Sequence, residues 1–177
     1  MEHIKKVAII GAESTGKSAL AEALAKHYQC LWVPEFAREY LLALGAPYTA
    51  EDVETIAQGQ LLLEDRFAEE PHPYLFCDTN LWVIKVWMDS SYQSTPAWIE
   101  QEIKLRPYHL HILTDYHIPY EPDPLREHPE QREHFTEIYK QLLEQNGVPY
   151  LYVEGSLEER VEQGVTFLIP PLKSGGN

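Results

Sequence analysis

Gly11-Ala12-Glu13-Ser14-Thr15-Gly16-Lys17-Ser18 sets two glycines five positions apart and follows the second with a lysine and a hydroxyl. Glycine lets a backbone curl until successive N–H groups point at one centre. A helix that starts at the lysine adds the partial positive charge of its N-terminus. In such a G-x-x-x-x-G-K-S loop, Lys17 reaches the β and γ phosphates of a nucleotide, and the Ser18 hydroxyl is the expected Mg²⁺ ligand. Gly11, Ala12, Glu13, Ser14, Thr15, Gly16, Lys17, Ser18 and Ala19 are therefore the candidate ATP-binding residues. The chemistry implied is that of an ATP or GTP handler.

Phosphoryl transfer needs more than a phosphate cradle: an acid near the metal, a group to orient or deprotonate the acceptor hydroxyl, and positive charge on the transferring group. Asp78 follows the apolar run Tyr74-Leu75-Phe76-Cys77. It is a candidate for Mg²⁺ coordination or acceptor contact, or else an N-cap for the helix that follows. Glu35, in Trp32-Val33-Pro34-Glu35-Phe36-Ala37-Arg38, is a candidate acceptor-side base or hydroxyl ligand, or a carboxylate favoured by the helix dipole. Arg38 either pairs with Glu35 at i+3 or holds substrate. Phe36 is the favoured stacking face for a base, whereas the tryptophans read as core. Arg126 and Arg132 lie in a proline-rich stretch, Ile118 to Glu133. Such a long connection reads as a lid that excludes water and brings charge to the phosphates.

The elements that must position these groups follow from the hydrophobic pattern. Strands are expected at Val7–Ile10, Leu31–Val33, Tyr74–Cys77, His109–Leu113 and Tyr150–Val153. Helical spacing covers Lys17–Gln29, Phe36–Leu44, Glu51–Ala68, Leu81–Met88, Pro96–Leu105 and about His134–Gln145, the last stopped by Asn146-Gly147. The alternation predicts an α/β fold: a P-loop NTPase with a five-stranded parallel sheet, flanking helices and a lid at about 118–133. One domain over residues 1–170 and a flexible tail at 171–177 are expected. In an open parallel sheet, ligands bind outside the carboxyl ends of the strands. Those ends carry the loop, Glu35, Asp78, Asp115 and Glu154.

With 177 residues and 44% hydrophobic content, the chain is long enough for one well-buried core. Its 28 acids against 14 bases give a net charge of −14. That balance disfavours duplex nucleic acid or an anionic membrane as partner, because both reward clustered Lys and Arg. No apolar run suits a membrane span and no signal peptide is read, so a cytoplasmic location is expected. Cys30 and Cys77 lack metal spacing and read as buried reduced thiols; the eight histidines read as local polar or surface groups.

Several blocks together resemble a known family. GAESTGKSALAEALA, VPEFAREYL, CDTN, RPYHLHILTD, IPYEPDPLREHPEQR and NGVPYLYVEGSLEER occur in order from Val7 to Arg160. This series is similar to the ribosylnicotinamide kinase domain of the NadR group of NAD biosynthesis proteins. The resemblance implies a kinase fold related to nucleoside and nucleotide kinases. It also implies transfer of the γ-phosphoryl of ATP to the 5′-hydroxyl of nicotinamide riboside. By position it puts Glu35 and Arg38 on the nucleoside side, Asp78 as the acid of the third strand, and Asp123 and Arg126 in the lid motif. Where the family commonly reads DTD, this chain reads Asp78-Thr79-Asn80, with Asn80 in a substrate-side position. Full-length members add a nucleotidyltransferase domain, so a freestanding kinase-like domain is expected here.

Two classes of function follow. One is an ATP-dependent nucleoside kinase with a small nucleoside acceptor; the other is a nucleotide-sensing module whose output is a protein contact. Acceptor-stimulated ADP production separates them.

Overall fold

The computed structural model describes residues 4–168. The expected tail at 171–177 lies outside them. Five parallel strands run in the order β2-β3-β1-β4-β5, with β1 at Lys5–Ile10, β2 at Trp32–Val33, β3 at Tyr74–Asp78, β4 at Leu110–Thr114 and β5 at Tyr150–Val153. Seven α-helices are present among the described residues: α1 (Lys17–Tyr28), α2 (Phe36–Leu44), α3 (Ala50–Phe67), α4 (Leu81–Tyr92), α5 (Ala97–Leu105), α6 (Arg132–Gln145) and α7 (Leu157–Leu168).

Side chains alternate across a strand, so each strand feeds two cores. Val7, Ile9, Phe76, Leu110 and Ile112 pack with Leu20, Leu24 and Leu168, under α1 and α7. Ala8, Ile10 and Leu113 face Val86, Tyr139 and Leu143, under α4 and α6. Leu75, Cys77 and Val33 meet α3 through Leu63 and Phe67. A further core, Ala37, Val53, Ile56, Leu81, Ile84 and Ile99, joins α2 and α5 to α3 and α4. The central strands are apolar on both faces, as a sheet covered on both sides demands.

Helix α7 was not among the expected elements. Gly164 in its middle lowers helix propensity, but it sits where a Cβ would stand 3.2 Å from Leu24 Cδ2, so α7 packs closely on α1 at this point. Arg132 opens α6 rather than lying in the loop, and the lid carries a 3₁₀ turn at Pro129–Gln131. Cys77 is buried as expected, whereas Cys30 is half-buried; both are free thiols. No described helix is long and apolar enough to cross a membrane.

Candidate active site

A cavity of about 910 Å³ lies beyond the carboxyl ends of the strands and is lined by Gly11 through Ala19 without a gap. The loop earns its shape from close approaches. Gly11, at φ +150, lies where a Cβ would meet Thr114 Oγ1 at 2.2 Å, and Gly16, at φ +78, caps α1 in the left-handed region. Thr15 and Thr114 hydroxyl oxygens stand 2.7 Å apart, which ties the loop to β4. Lys17 Nζ donates to Ala12 O at 2.7 Å, folding over the loop it serves.

Asp78 ends β3 and is 1% exposed. Its Oδ2 accepts from Ser18 Oγ at 2.5 Å, while its Oδ1 is buried without a hydrogen-bond partner. Burial holds the Asp78 pKa above its ordinary value, against the Ser18 hydrogen bond and the Lys17 charge, which lower it. The next residue, Thr79, takes φ +70 and donates its N–H to Ile9 O at 2.9 Å, a left-handed turn that swings the chain from β3 into α4. Oxygen donors from a hydroxyl and a carboxylate with an unused lone pair suit a hard cation such as Mg²⁺. Among the described residues no group of three or more His, Cys, Asp or Glu is placed to hold a metal ion.

Glu35 follows β2 and caps α2 through its backbone, and its side chain makes no capping bond. It lines the same cavity. Burial raises its pKa first; Lys17 opposes this, Asp78 adds to it, Arg38 opposes it and Glu13 adds to it. A carboxylate so placed is a better proton acceptor at neutral pH than a free glutamate. Arg38 lines the cavity but forms no ion pair with Glu35. Its Nη2 meets Asp123 Oδ2 at 2.9 Å and so links α2 to the lid.

The segment expected to form a lid packs on the loop at residues 11–18. Glu13 accepts the backbone N–H groups of Glu127 (3.0 Å) and His128 (2.9 Å), and Ser14 Oγ accepts from Glu121 N at 2.8 Å. Arg126 donates to Ser14 Oγ at 3.3 Å and to Glu121 O. Arg132 donates to Ser14 O at 3.3 Å and Ile118 O at 2.9 Å. Glu13 and Ser14 thus hold the lid by their side chains, besides whatever their backbone offers a phosphate. Tyr48 donates to Glu127 Oε2 at 2.7 Å and accepts from Trp87 Nε1 at 3.1 Å.

Three expected readings are corrected. Phe36 is not a cavity wall: its ring packs on α3 at Gly59, where a Cβ would lie 2.2 Å from the ring, so it fixes α2 on α3 instead. Trp32 and Trp87, read as core, are half-buried and line the cavity. Asn80 does not line the cavity either. It is 0% exposed; its Oδ1 accepts from Trp82 N at 3.0 Å to cap α4, and its Nδ2 lies 3.0 Å from His111 Nε2. The amide thus supports the Asp78 turn from below, a role a carboxylate would fill only by forcing a charge into the core. Asp115, at the end of β4, is satisfied by Tyr152 and His117, each at 2.6 Å.

Sequence reasoning missed Tyr139, Phe135, Val83 and Val86, which line the cavity, and Arg160, which reaches the loop from α7. The first four read as ordinary core residues of amphipathic helices. Arg160 reads as one more charge in a run of acids.

Residues 6–160 match the model of the AAA domain family. The chain belongs to that family. It is also similar to the trifunctional NAD biosynthesis/regulator protein NadR of Escherichia coli (strain K12), at 26% identity over 157 residues, covering 85% of this chain and 38% of that protein. The Salmonella typhimurium NadR matches at 25% with the same coverage. Among solved structures, NadR in complex with NR superposes with a TM-score of 0.77 at 20% identity, over 93% of this chain and 52% of that one. A NadR complex with NAD and AMP-PNP gives 0.79 at 19%, over 99% and 52%. Deoxyadenosine kinase from M. mycoides gives 0.67 at 14%, over 92% and 98%. The chain therefore spans between about a third and a half of the NadR proteins it resembles. The likeness to the NadR group read from the motifs holds, and the P-loop fold is that of nucleoside and nucleotide kinases.

Proposed function

We propose that this chain is an ATP-dependent nucleoside kinase and that its acceptor is nicotinamide riboside, converted to nicotinamide mononucleotide. The observation that supports the reading is one cavity lined both by the phosphate loop and by Trp32, Tyr48, Val83, Trp87, Phe135 and Tyr139, with Glu35 on the same lining. A flat base fits such walls, and a pyridinium ring carries a positive charge that tyrosine and tryptophan faces attract. The net charge of −14 favours a cationic acceptor over an anionic one.

Each residue then has a task. The loop N–H groups and Lys17 hold the triphosphate, which supplies positioning, the main source of rate in phosphoryl transfer. Glu35 accepts the proton of the attacking hydroxyl as the oxygen bonds to the γ-phosphorus and the bond to the ADP oxygen breaks. Arg126, carried on the lid, meets the charge on the transferring group, and the lid keeps out water that would otherwise hydrolyse ATP. Ser18 and Asp78 would hold Mg²⁺, which neutralises phosphate charge when bound. Asp123 holds Arg38 and so steadies the lid. Such a reaction belongs in the cytoplasm, where ATP is kept.

The deciding assay is ADP release from Mg-ATP with nicotinamide riboside, other ribonucleosides or no acceptor, with Lys17→Ala as blank and mass spectrometry of the product. Riboside-dependent ADP with matching mononucleotide supports the reading. Tight ATP binding with no acceptor-dependent turnover moves it to the sensing module, for which the lid bonds to Glu13 and Ser14 already offer a nucleotide-responsive element.

A further inference from the structure

Arg160 stands in the first turn of α7 and is 2% exposed. A helix N-terminus is positive, and a cation there is disfavoured by the dipole. Burial costs it further, and the guanidinium pKa is lowered for that reason, against the opposing influence of Asp115, Tyr152 and Glu154. No carboxylate of the described residues forms an ion pair with it. All its hydrogen bonds go to backbone carbonyls: Nη1 to Thr15 O at 2.6 Å, Nε to Gly155 O at 2.9 Å and Nη2 to Asp115 O at 3.4 Å. A neutral donor would staple three loops at lower cost. The charge therefore calls for a use.

The short bond to Thr15 indicates one. A trans peptide is planar, so the C=O of Thr15 and the N–H of Gly16 point in opposite directions. Holding that carbonyl against the guanidinium fixes the Gly16 N–H toward the other side of the loop. A cation on the carbonyl also polarises the peptide and strengthens the N–H as a donor. Gly16 at φ +78 has no side chain to oppose this orientation, and its Cβ position lies 3.7 Å from Arg160 Nη1. We propose that Arg160 is a positioning residue for nucleotide phosphates, acting through the Thr15–Gly16 peptide to aim and charge one donor of the phosphate loop.

This inference goes beyond the riboside reading and needs only nucleotide binding, so it stands or falls apart from the acceptor. The test is calorimetric binding of Mg-ATP, Mg-ADP and AMP to wild type, Arg160→Gln and Arg160→Lys, with thermal midpoints of the ligand-free proteins as a folding control. Glutamine is expected to weaken ATP and ADP about tenfold while AMP, which presents no β-phosphate, changes less than twofold. Lysine keeps the charge but loses the fork, and is expected to fall between. If Arg160→Gln does not fold, the ADP-to-AMP affinity ratio of Arg160→Lys carries the test. Equal weakening of ADP and AMP, or no weakening of either, overturns the proposal and leaves Arg160 a staple of three loops.

Discussion

Ser18 Oγ and Asp78 Oδ2, sixty positions apart in the chain, meet at 2.5 Å. The contact brings the hydroxyl of the phosphate loop to the carboxylate that ends β3 and leaves Asp78 Oδ1 without a partner. Asp78→Asn preserves the shape but removes the charge that a cation needs. Turnover is expected to fall about a hundredfold or more, with a higher Mg²⁺ requirement at fixed ATP. Full activity at unchanged Mg²⁺ dependence would remove Asp78 from the metal site.

Glu35→Gln should lower acceptor-dependent turnover by about a hundredfold while leaving ATP binding within about twofold, since general-base losses lie in that range. The pH profile carries a second check. Because burial lifts the Glu35 pKa above 4.5, the acid limb of kcat/KM should fall at higher pH than for a free glutamate.

Arg126→Ala is expected to reduce kcat by about a hundredfold or more and to raise KM for ATP only slightly, because the lid arginine serves the transferring group rather than the resting nucleotide. A change confined to KM would place Arg126 in ground-state binding instead.

Gly59→Ala tests the seat of Phe36. A Cβ at Gly59 would lie 2.2 Å from the ring, so α2 must lift from α3. A destabilisation of about 1–3 kcal/mol in urea unfolding is expected. Since α2 carries Glu35 at its head, acceptor KM should rise as well.

His111 is 1% exposed, and burial pushes its pKa down from 6.5 to about 4. The unfolded chain therefore binds a proton that the folded chain refuses between these values. Stability from this group is complete above pH 6.5 and is lost as pH falls toward 4, by about 3 kcal/mol at most. Glu35, Glu64 and Asp78, with raised pKa values, act in the opposite sense. The comparison of wild type with His111→Gln by pH-dependent unfolding isolates the histidine: the variant should lose less stability over that window.

The parts of the site that lie at strand ends were legible because local pattern and a topological rule sufficed. Apolar runs marked the strands, and the rule that ligands gather at their carboxyl ends singled out Glu35 and Asp78 along with the loop. What escaped depends on tertiary neighbours. Phe36 and Trp87 are both aromatic residues on helices, and nothing local says that one meets Gly59 while the other meets Tyr48. Asn80 reads as an altered active-site acid until His111 is seen beside it. Arg38 was weighed against Glu35 at helical spacing, yet its partner, Asp123, arrives from the lid. Helix α7 was hidden by Gly164, whose low propensity is outweighed by its close contact with Leu24.

The loop at residues 11–18 is synthesised well before the groups that hold it in shape, Thr114 from β4 and Arg160 from α7. A nascent chain emerging from the ribosome therefore displays its nucleotide motif long before it can use it. A loop shaped in this way is complete only once α7 has docked. Nucleotide then rewards only the finished fold, adding stability by mass action to native chains and none to partly made ones.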